Sequence, residues 1–184
     1  EILQLHANQS MWISEEQYLR IIENKTARLF SACSEAGAAS SGATARQQNA
    51  LRQFGIYLGL CFQIKDDIFD FSDIEDLGKP TMNDINDGKA TLPIIISLQR
   101  ASKEEATHIQ ALGEALASKS SGINVLEAEE EIKSFVLRYD GIHYAYQLME
   151  KYRQKAIEAL KIFPENVYKS SLIALLNYAI NRMH

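Results

Sequence analysis

Residues 62–71 read Phe62-Gln63-Ile64-Lys65-Asp66-Asp67-Ile68-Phe69-Asp70-Phe71. Together with Leu58 and Leu60, the apolar side chains at 62, 64, 68, 69 and 71 cover much of a helix circumference, so the stretch predicts a buried helix. Into it are set three carboxylates at i, i+1 and i+4, on one turn. Two unit charges about 4 Å apart repel by roughly 4 kcal/mol at an effective dielectric near 20, so three need a cation among them. Oxygen-only ligands favour a hard ion, magnesium first and calcium or manganese next. Magnesium usually takes one or two protein carboxylates and completes its shell with water and phosphate oxygens, so a phosphorylated ligand is the natural partner of this turn. An acidic run on a helix is more often a solvated face, and this one continues through Asp73, Glu75 and Asp76. The interleaved apolar residues argue against that, because buried carboxylates are seldom left unpaired. An EF-hand loop fits poorly: the sixth position counted from Asp66 is Phe71, where that loop needs glycine.

On either side of this stretch, strand patterns are nearly absent and helical periodicities succeed one another across short polar breaks, which predicts an all-α bundle. Residues 1 to 8 read as the end of a first helix. Ser14-Glu15-Glu16-Gln17 is a capping box opening a helix to about Ala36, with Tyr18, Leu19, Ile22, Leu29 and Phe30 as apolar positions. Residues Gly37 to Gly42 break that pattern, and the acidic helix runs from Ala43 to about Phe71. Its Gly55 and Gly59, four residues apart, predict close approach by another helix or a ligand. Asp76-Leu77-Gly78-Lys79-Pro80 is turn-forming and leads into an irregular segment to about Gly88. Helix resumes over 90–100 with Pro93 in its first turn. Four more amphipathic helices are predicted over 102–116, 125–139, 142–161 and 165–182, with Pro164 between the last two. Tyr144, Tyr146 and Tyr152 read as core or interface positions.

The chain has 184 residues, 46% of them hydrophobic and 23% charged, which is enough for one domain with a sizeable core and excludes disorder. A net charge of −5 argues against a nucleic-acid or anionic-membrane surface. The longest apolar run, Leu92 to Ile96, falls far short of the roughly 20 residues of a spanning helix. Cys33 and Cys61 lack CxxC spacing and read as free buried thiols in a reducing compartment, the cytoplasm. The start at Glu1, without a signal peptide or initiator methionine, reads as a truncated or processed chain.

Candidate cations complement the acids: Lys25 followed by Thr26, Lys79 in the Gly-Lys-Pro turn, and Lys89 in Asp87-Gly88-Lys89. Helical spacing puts Gln63 on the stripe of Asp67 and Asp70, with Asp66 flanking it. Acids that hold a metal, with lysines reaching a polyphosphate, suit the breaking of a bond to diphosphate.

These pieces resemble, in order, the trans (head-to-tail) isoprenyl diphosphate synthases, the polyprenyl synthetase family. Glu1-Ile2-Leu3-Gln4-Leu5 is similar to the tail of the family's Gly-Glu-x-x-Gln helix, and Lys25 to Phe30 to its Lys-Thr segment. Gly59 through Phe71 is similar to its second aspartate-rich motif. Gly78-Lys79-Pro80 to Asp84, then Gly88 to Pro93, resembles the family's next segment, directly C-terminal to that motif. The end of the chain, with Pro164, Tyr168, Leu172, Leu175, Tyr178 and Arg182, is similar to the last helix. The resemblance implies an active-site cavity in a helical bundle where Mg2+ bridges an allylic diphosphate to two aspartate-rich motifs. It makes Asp66 the chief metal ligand and gives Asp67, Asp70 and Asp84 water-mediated or orienting roles at the same metal. Lys25, Thr26, Gln63, Lys79, Lys89 and Gln4 become substrate-binding, with Lys25, Gln63 and Asp66 catalytic. The allylic cation is then attacked by isopentenyl diphosphate, with released diphosphate as the base. A homodimer is implied as well.

The first aspartate-rich motif and the basic residues for isopentenyl diphosphate lie upstream of this stretch in the family and have no counterpart here. The expectation is therefore a C-terminal portion, one helical domain over 1–184, that is inactive alone while the full-length chain elongates prenyl diphosphates. Two rivals are a class I terpene cyclase, against which the Lys-Thr and Gly-Lys segments speak, and a non-catalytic helical subunit, against which the retained aspartates and lysines speak.

Overall fold

The structure, a computed structural model, describes residues 13–71 and 82–182. Among these residues every regular element is helical. In chain order they are α1 (Glu15–Ile22), a π turn (Glu23–Ala27), α2 (Arg28–Ser40), α3 (Ala45–Phe69), α4 (Asn83–Asn86), α5 (Leu92–Arg100), α6 (Lys103–Ala117), α7 (Val125–Arg138), α8 (Gly141–Ala159), a 3-10 turn (Leu160–Ile162) and α9 (Val167–Asn181). None of the described helices is long and apolar enough to cross a membrane.

The helix starts are set by local chemistry. Ser14 and Gln17 close the predicted capping box, each donating its backbone N–H to the other's side chain, at 2.8 Å from Ser14 and 3.1 Å from Gln17. Thr44 and Gln47 make a second one that sets the start of α3 at 45. Ser102 caps α6 by accepting the Glu105 N–H, and Pro93 sits in the first turn of α5, as predicted. The break expected at Gly37 comes later. A single exposed glycine among alanines costs about 1 kcal/mol of helix propensity, too little to stop α2. The helix ends instead in a Schellman motif at Gly42, whose φ of 72° closes Gly42 N–H onto the Ala39 carbonyl and Ala43 N–H onto that of Ala38. The segment predicted irregular up to Gly88 contains the single-turn helix α4.

The described residues pack as two compact units, one from 13–18, 66–71 and 82–146 and the other from 19–65 and 147–182. In the first unit α4 packs on α6, α6 on α7, and α7 on α5. Their core is Phe71, Met82, Ile85, Ile94, Leu98, Ile109, Leu116, Ile132, Phe135 and Val136. Gly141 lies so close to α5 that an added Cβ would stand 2.2 Å from the Pro93 carbonyl oxygen.

In the second unit the two glycines of α3 do what their spacing predicts. A Cβ on Gly55 would stand 2.6 Å from the Phe30 carbonyl oxygen and the Ser31 Cα, and one on Gly59 would stand 2.5 Å from the Ala27 Cα. The missing side chains therefore seat α2 and the π turn on α3 backbone to backbone. Ile22, Ala27, Phe54, Leu58, Ile64, Met149, Leu160 and Leu176 are buried there. Two burial expectations fail. Leu29 is 68% exposed, because the π turn re-phases the helical faces after Ala27. Cys33 is exposed on α2, whereas Cys61 is buried as expected.

Candidate active site

The acidic turn closes the last helical turn of α3, where the outgoing carbonyls and the chain direction are least constrained by the helix itself. Two of its three carboxylates are buried and engaged as caps for other helices. The Oδ2 of Asp67 accepts the Leu92 N–H at 3.0 Å, at the first residue of α5, and the Tyr18 hydroxyl at 2.7 Å. Thr91, at the N-cap position of α5, makes no side-chain cap bond, and its buried Oγ1 has no hydrogen-bond partner. Asp67 thus performs the capping that Thr91 does not. The Oδ2 of Asp70 accepts the Asp84 N–H at 3.2 Å in α4, whose own N-cap, Met82, lies at φ 62° and offers no side-chain acceptor. Burial, reinforced by the Asp84 charge, pushes the Asp70 carboxyl up to about 6, against backbone N–H groups of 83–85 that pull it down.

Asp66, the predicted chief ligand, is only half-buried. Asp84 and Lys89 pair at 3.1 Å, and Lys89 also reaches Asp87 at 2.8 Å. Burial lowers the Lys89 ammonium, yet its bonds to Asp87 and Asp84 carry it above the usual lysine value. One unit therefore brings together Asp66, Asp67, Asp70, Asp84 and Lys89. Among the described residues, no three His, Cys, Asp or Glu side chains stand together as a ready ligand set. The donor chemistry is what magnesium would need: the donors are oxygens, the buried Asp70 beside the Asp84 charge is a carboxylate that a cation would relieve, and few of them need be ligands if phosphate and water complete the shell.

The second unit places Thr26 and Gln63 together. The π turn lowers its backbone onto Gly59, and one helical turn further along α3 the Thr26 hydroxyl donates to Gln63 Oε1 at 3.0 Å. A π turn at a functional segment is a familiar use of that geometry. Lys25, beside Thr26, is exposed. Further along, Arg182 lays its guanidinium 3.7 Å from the centre of the Phe62 ring and donates to the Phe62 carbonyl at 3.1 Å. Lys65 is buried, and desolvation followed by the Arg182 charge lowers its ammonium below the usual value. Gln4 and Lys79 lie outside the described residues.

Tyr18 is buried, as its apolar position predicts, and it carries in addition a hydroxyl that periodicity does not read. Burial, then the charge and hydrogen bond of Asp67, then the charges of Asp84 and Asp66, raise its phenol well above the usual value. The available signal was its hydroxyl, because a buried tyrosine needs a partner for its O–H.

Comparison with known proteins bears on the chain as a whole. The family model described as Polyprenyl synthetase matches residues 1–129. Octaprenyl diphosphate synthase of Haemophilus influenzae is 34% identical over 170 residues, covering 92% of this chain and 50% of that protein. Geranylgeranyl diphosphate synthase of Sulfolobus acidocaldarius is 39% identical over 150 residues, covering 80% and 43%. A solved polyprenyl synthase of Caulobacter crescentus, complexed with calcium and isoprenyl diphosphate, has a TM-score of 0.85 at 33% identity, covering 100% of this chain and 54% of that one. The chain spans about half the length of the curated relatives it matches. With a family model covering most of its length and relatives above 30% identity, the chain belongs to the polyprenyl synthetase family.

Proposed function

We propose that this chain carries the second aspartate-rich motif of a trans-isoprenyl diphosphate synthase, which ionises an allylic diphosphate and joins the resulting chain head-to-tail to isopentenyl diphosphate. The observation that carries the reading is the gathering, within one unit, of the acidic turn with Asp84 and Lys89, 14 or more residues away from Asp70 in sequence. Family membership supports it. Magnesium, when bound, supplies positive charge against the charge that builds up on the departing diphosphate.

The chain's own residues then divide the work. Asp66 holds the ion, while Asp67 and Asp70 hold the turn that carries Asp66. Asp84 restrains Lys89 until a phosphate competes for it. Lys89 and Lys25 neutralise the leaving group, an effect that grows as the carbon–oxygen bond breaks. Thr26 fixes the orientation of the Gln63 amide beside the allylic diphosphate. Lys79 and Gln4 take the remaining substrate contacts that the family resemblance assigns. Carbon–carbon bond formation comes from attack by the double bond of isopentenyl diphosphate, and the released diphosphate removes the proton. The same reading makes the protein a cytoplasmic homodimer.

The test is a product assay on the protein that carries this chain, with farnesyl diphosphate, labelled isopentenyl diphosphate and magnesium. A longer linear diphosphate is expected. A cyclic hydrocarbon or alcohol, or no conversion of either substrate, contradicts the reading.

A further inference from the structure

Tyr18 and Asp67 are each only 3% exposed, and the hydroxyl–carboxylate bond between them is 2.7 Å, the length of a charge-assisted bond. A phenylalanine would fill the same space, so packing alone does not require the hydroxyl. Its partner oxygen is the one that also accepts the Leu92 N–H, at a helix whose own N-cap threonine makes no cap bond. Asp67 is thereby held from two sides, by α1 and by α5. Asp66 is its neighbour in the final turn of α3, where the carbonyl of Asp66 accepts the Asp70 N–H at a long 3.3 Å. The last turn of a helix frays unless something outside it takes hold, and here Asp67 takes such a hold beside that of Asp70 on the Asp84 N–H.

We propose that Tyr18 is a positioning residue for the metal: through its hydrogen bond to Asp67 it fixes the turn that presents Asp66. The inference rests on the reading of Asp66 as the metal ligand. It assigns Asp67 to the frame of the site, with Tyr18 as the anchor in α1, and it predicts that metal affinity depends on a hydroxyl that never touches the metal.

The experiment measures manganese(II) binding in the presence of inorganic diphosphate, by electron paramagnetic resonance, for the protein that carries this chain and its variants Tyr18→Phe, Asp67→Ala, the double variant and Asp66→Asn. Tyr18→Phe is expected to weaken binding about tenfold, the usual scale for an outer-shell partner. If Tyr18 acts through Asp67, the double variant binds within about twofold of Asp67→Ala alone, because that change has already removed the acceptor of the Tyr18 hydroxyl. Wild-type affinity in Tyr18→Phe, or independent losses that multiply in the double variant, overturns the inference. Hydrogen exchange keeps the test decisive if stability also falls. Exchange of the Leu92, Asp70 and Phe71 amides is expected to quicken about tenfold in Tyr18→Phe while α7 stays protected, and uniform quickening along the chain overturns the positioning role. Loss of binding in Asp66→Asn beside wild-type binding in Tyr18→Phe defeats this inference alone. Wild-type binding in Asp66→Asn defeats the metal reading as well.

Discussion

Two stretches of α3 are built on opposite principles. At Gly55 and Gly59 contact comes from leaving atoms out, so that the backbones of α2 and the π turn come within van der Waals reach. At Asp67 and Asp70 it comes from adding charge, with buried carboxylates that cap α5 and α4. The glycine stretch tolerates no added volume and is indifferent to ions. The acidic turn is costly in itself, because burial and a neighbouring like charge raise Asp70 to about 6, and under the proposed function it is the stretch whose energy a bound cation would change. A close-packed seat and a charged turn thus occupy successive parts of one helix.

The largest effect is expected where volume is forbidden. Gly55→Val should lower stability by about 3 kcal/mol or more, since the new Cβ meets backbone atoms that cannot rotate away. Urea unfolding measures this, and magnesium with diphosphate should not restore the loss; a tolerated valine would break the contrast at its first term. Next comes Asp67→Ala, which leaves the Tyr18 hydroxyl and Leu92 N–H buried without an acceptor, at about 2 to 3 kcal/mol. Asp66→Asn should stay within about 0.5 kcal/mol by the same denaturation measurement. Equal losses at 66 and 67 would erase the division between frame and ligand.

A smaller effect, of opposite sign, is expected from Thr91→Val. Removing a buried hydroxyl without a partner should be neutral or stabilising by up to about 1 kcal/mol. A clear destabilisation in thermal unfolding would mean that Thr91, and not Asp67 alone, supports the start of α5.

The two thiols give the least effect at neutral pH and sharpen the comparison between surface and core. Burial, aided by the Glu150 charge, pushes Cys61 up to about 12, while Cys33 is exposed. Because the folded value lies above the unfolded one, near 9, the contribution of Cys61 is intact below pH 9 and is lost as pH climbs towards 12. Iodoacetamide at about pH 8 should therefore modify Cys33 and spare Cys61 until the chain unfolds. Equal modification of both in the folded protein would refute the burial of Cys61.

The glycine stretch was legible in the sequence because its signal is local: two small residues one turn apart in an apolar helix have few other uses. Helix starts were legible for the same reason at Ser14 and Pro93, where the start signal and the helix are neighbours. The acidic turn was legible only as a need for positive charge. Its actual hydrogen-bond donors lie far away in sequence, Tyr18 at a separation of 49 residues, Leu92 at 25 and Asp84 at 14, and no periodicity encodes such distances. The π turn escaped because one extra residue per turn leaves no compositional mark, and with it went the exposure of Leu29 and Cys33. The pairing of Thr26 with Gln63 was foreseeable as two residues of one site, but their direct bond depends on Gly59 admitting Ala27.

The central claim is that Asp66 holds the metal on which diphosphate departure depends, while its neighbours hold Asp66. Its most direct test is the rate of prenyl elongation by the protein that carries this chain after Asp66→Asn, with the unfolding midpoint recorded on the same sample. A fall of about 100-fold or more at an unchanged midpoint is expected, on the scale of losing one preorganised electrostatic contact to the transition state. Elongation at the wild-type rate would contradict the account.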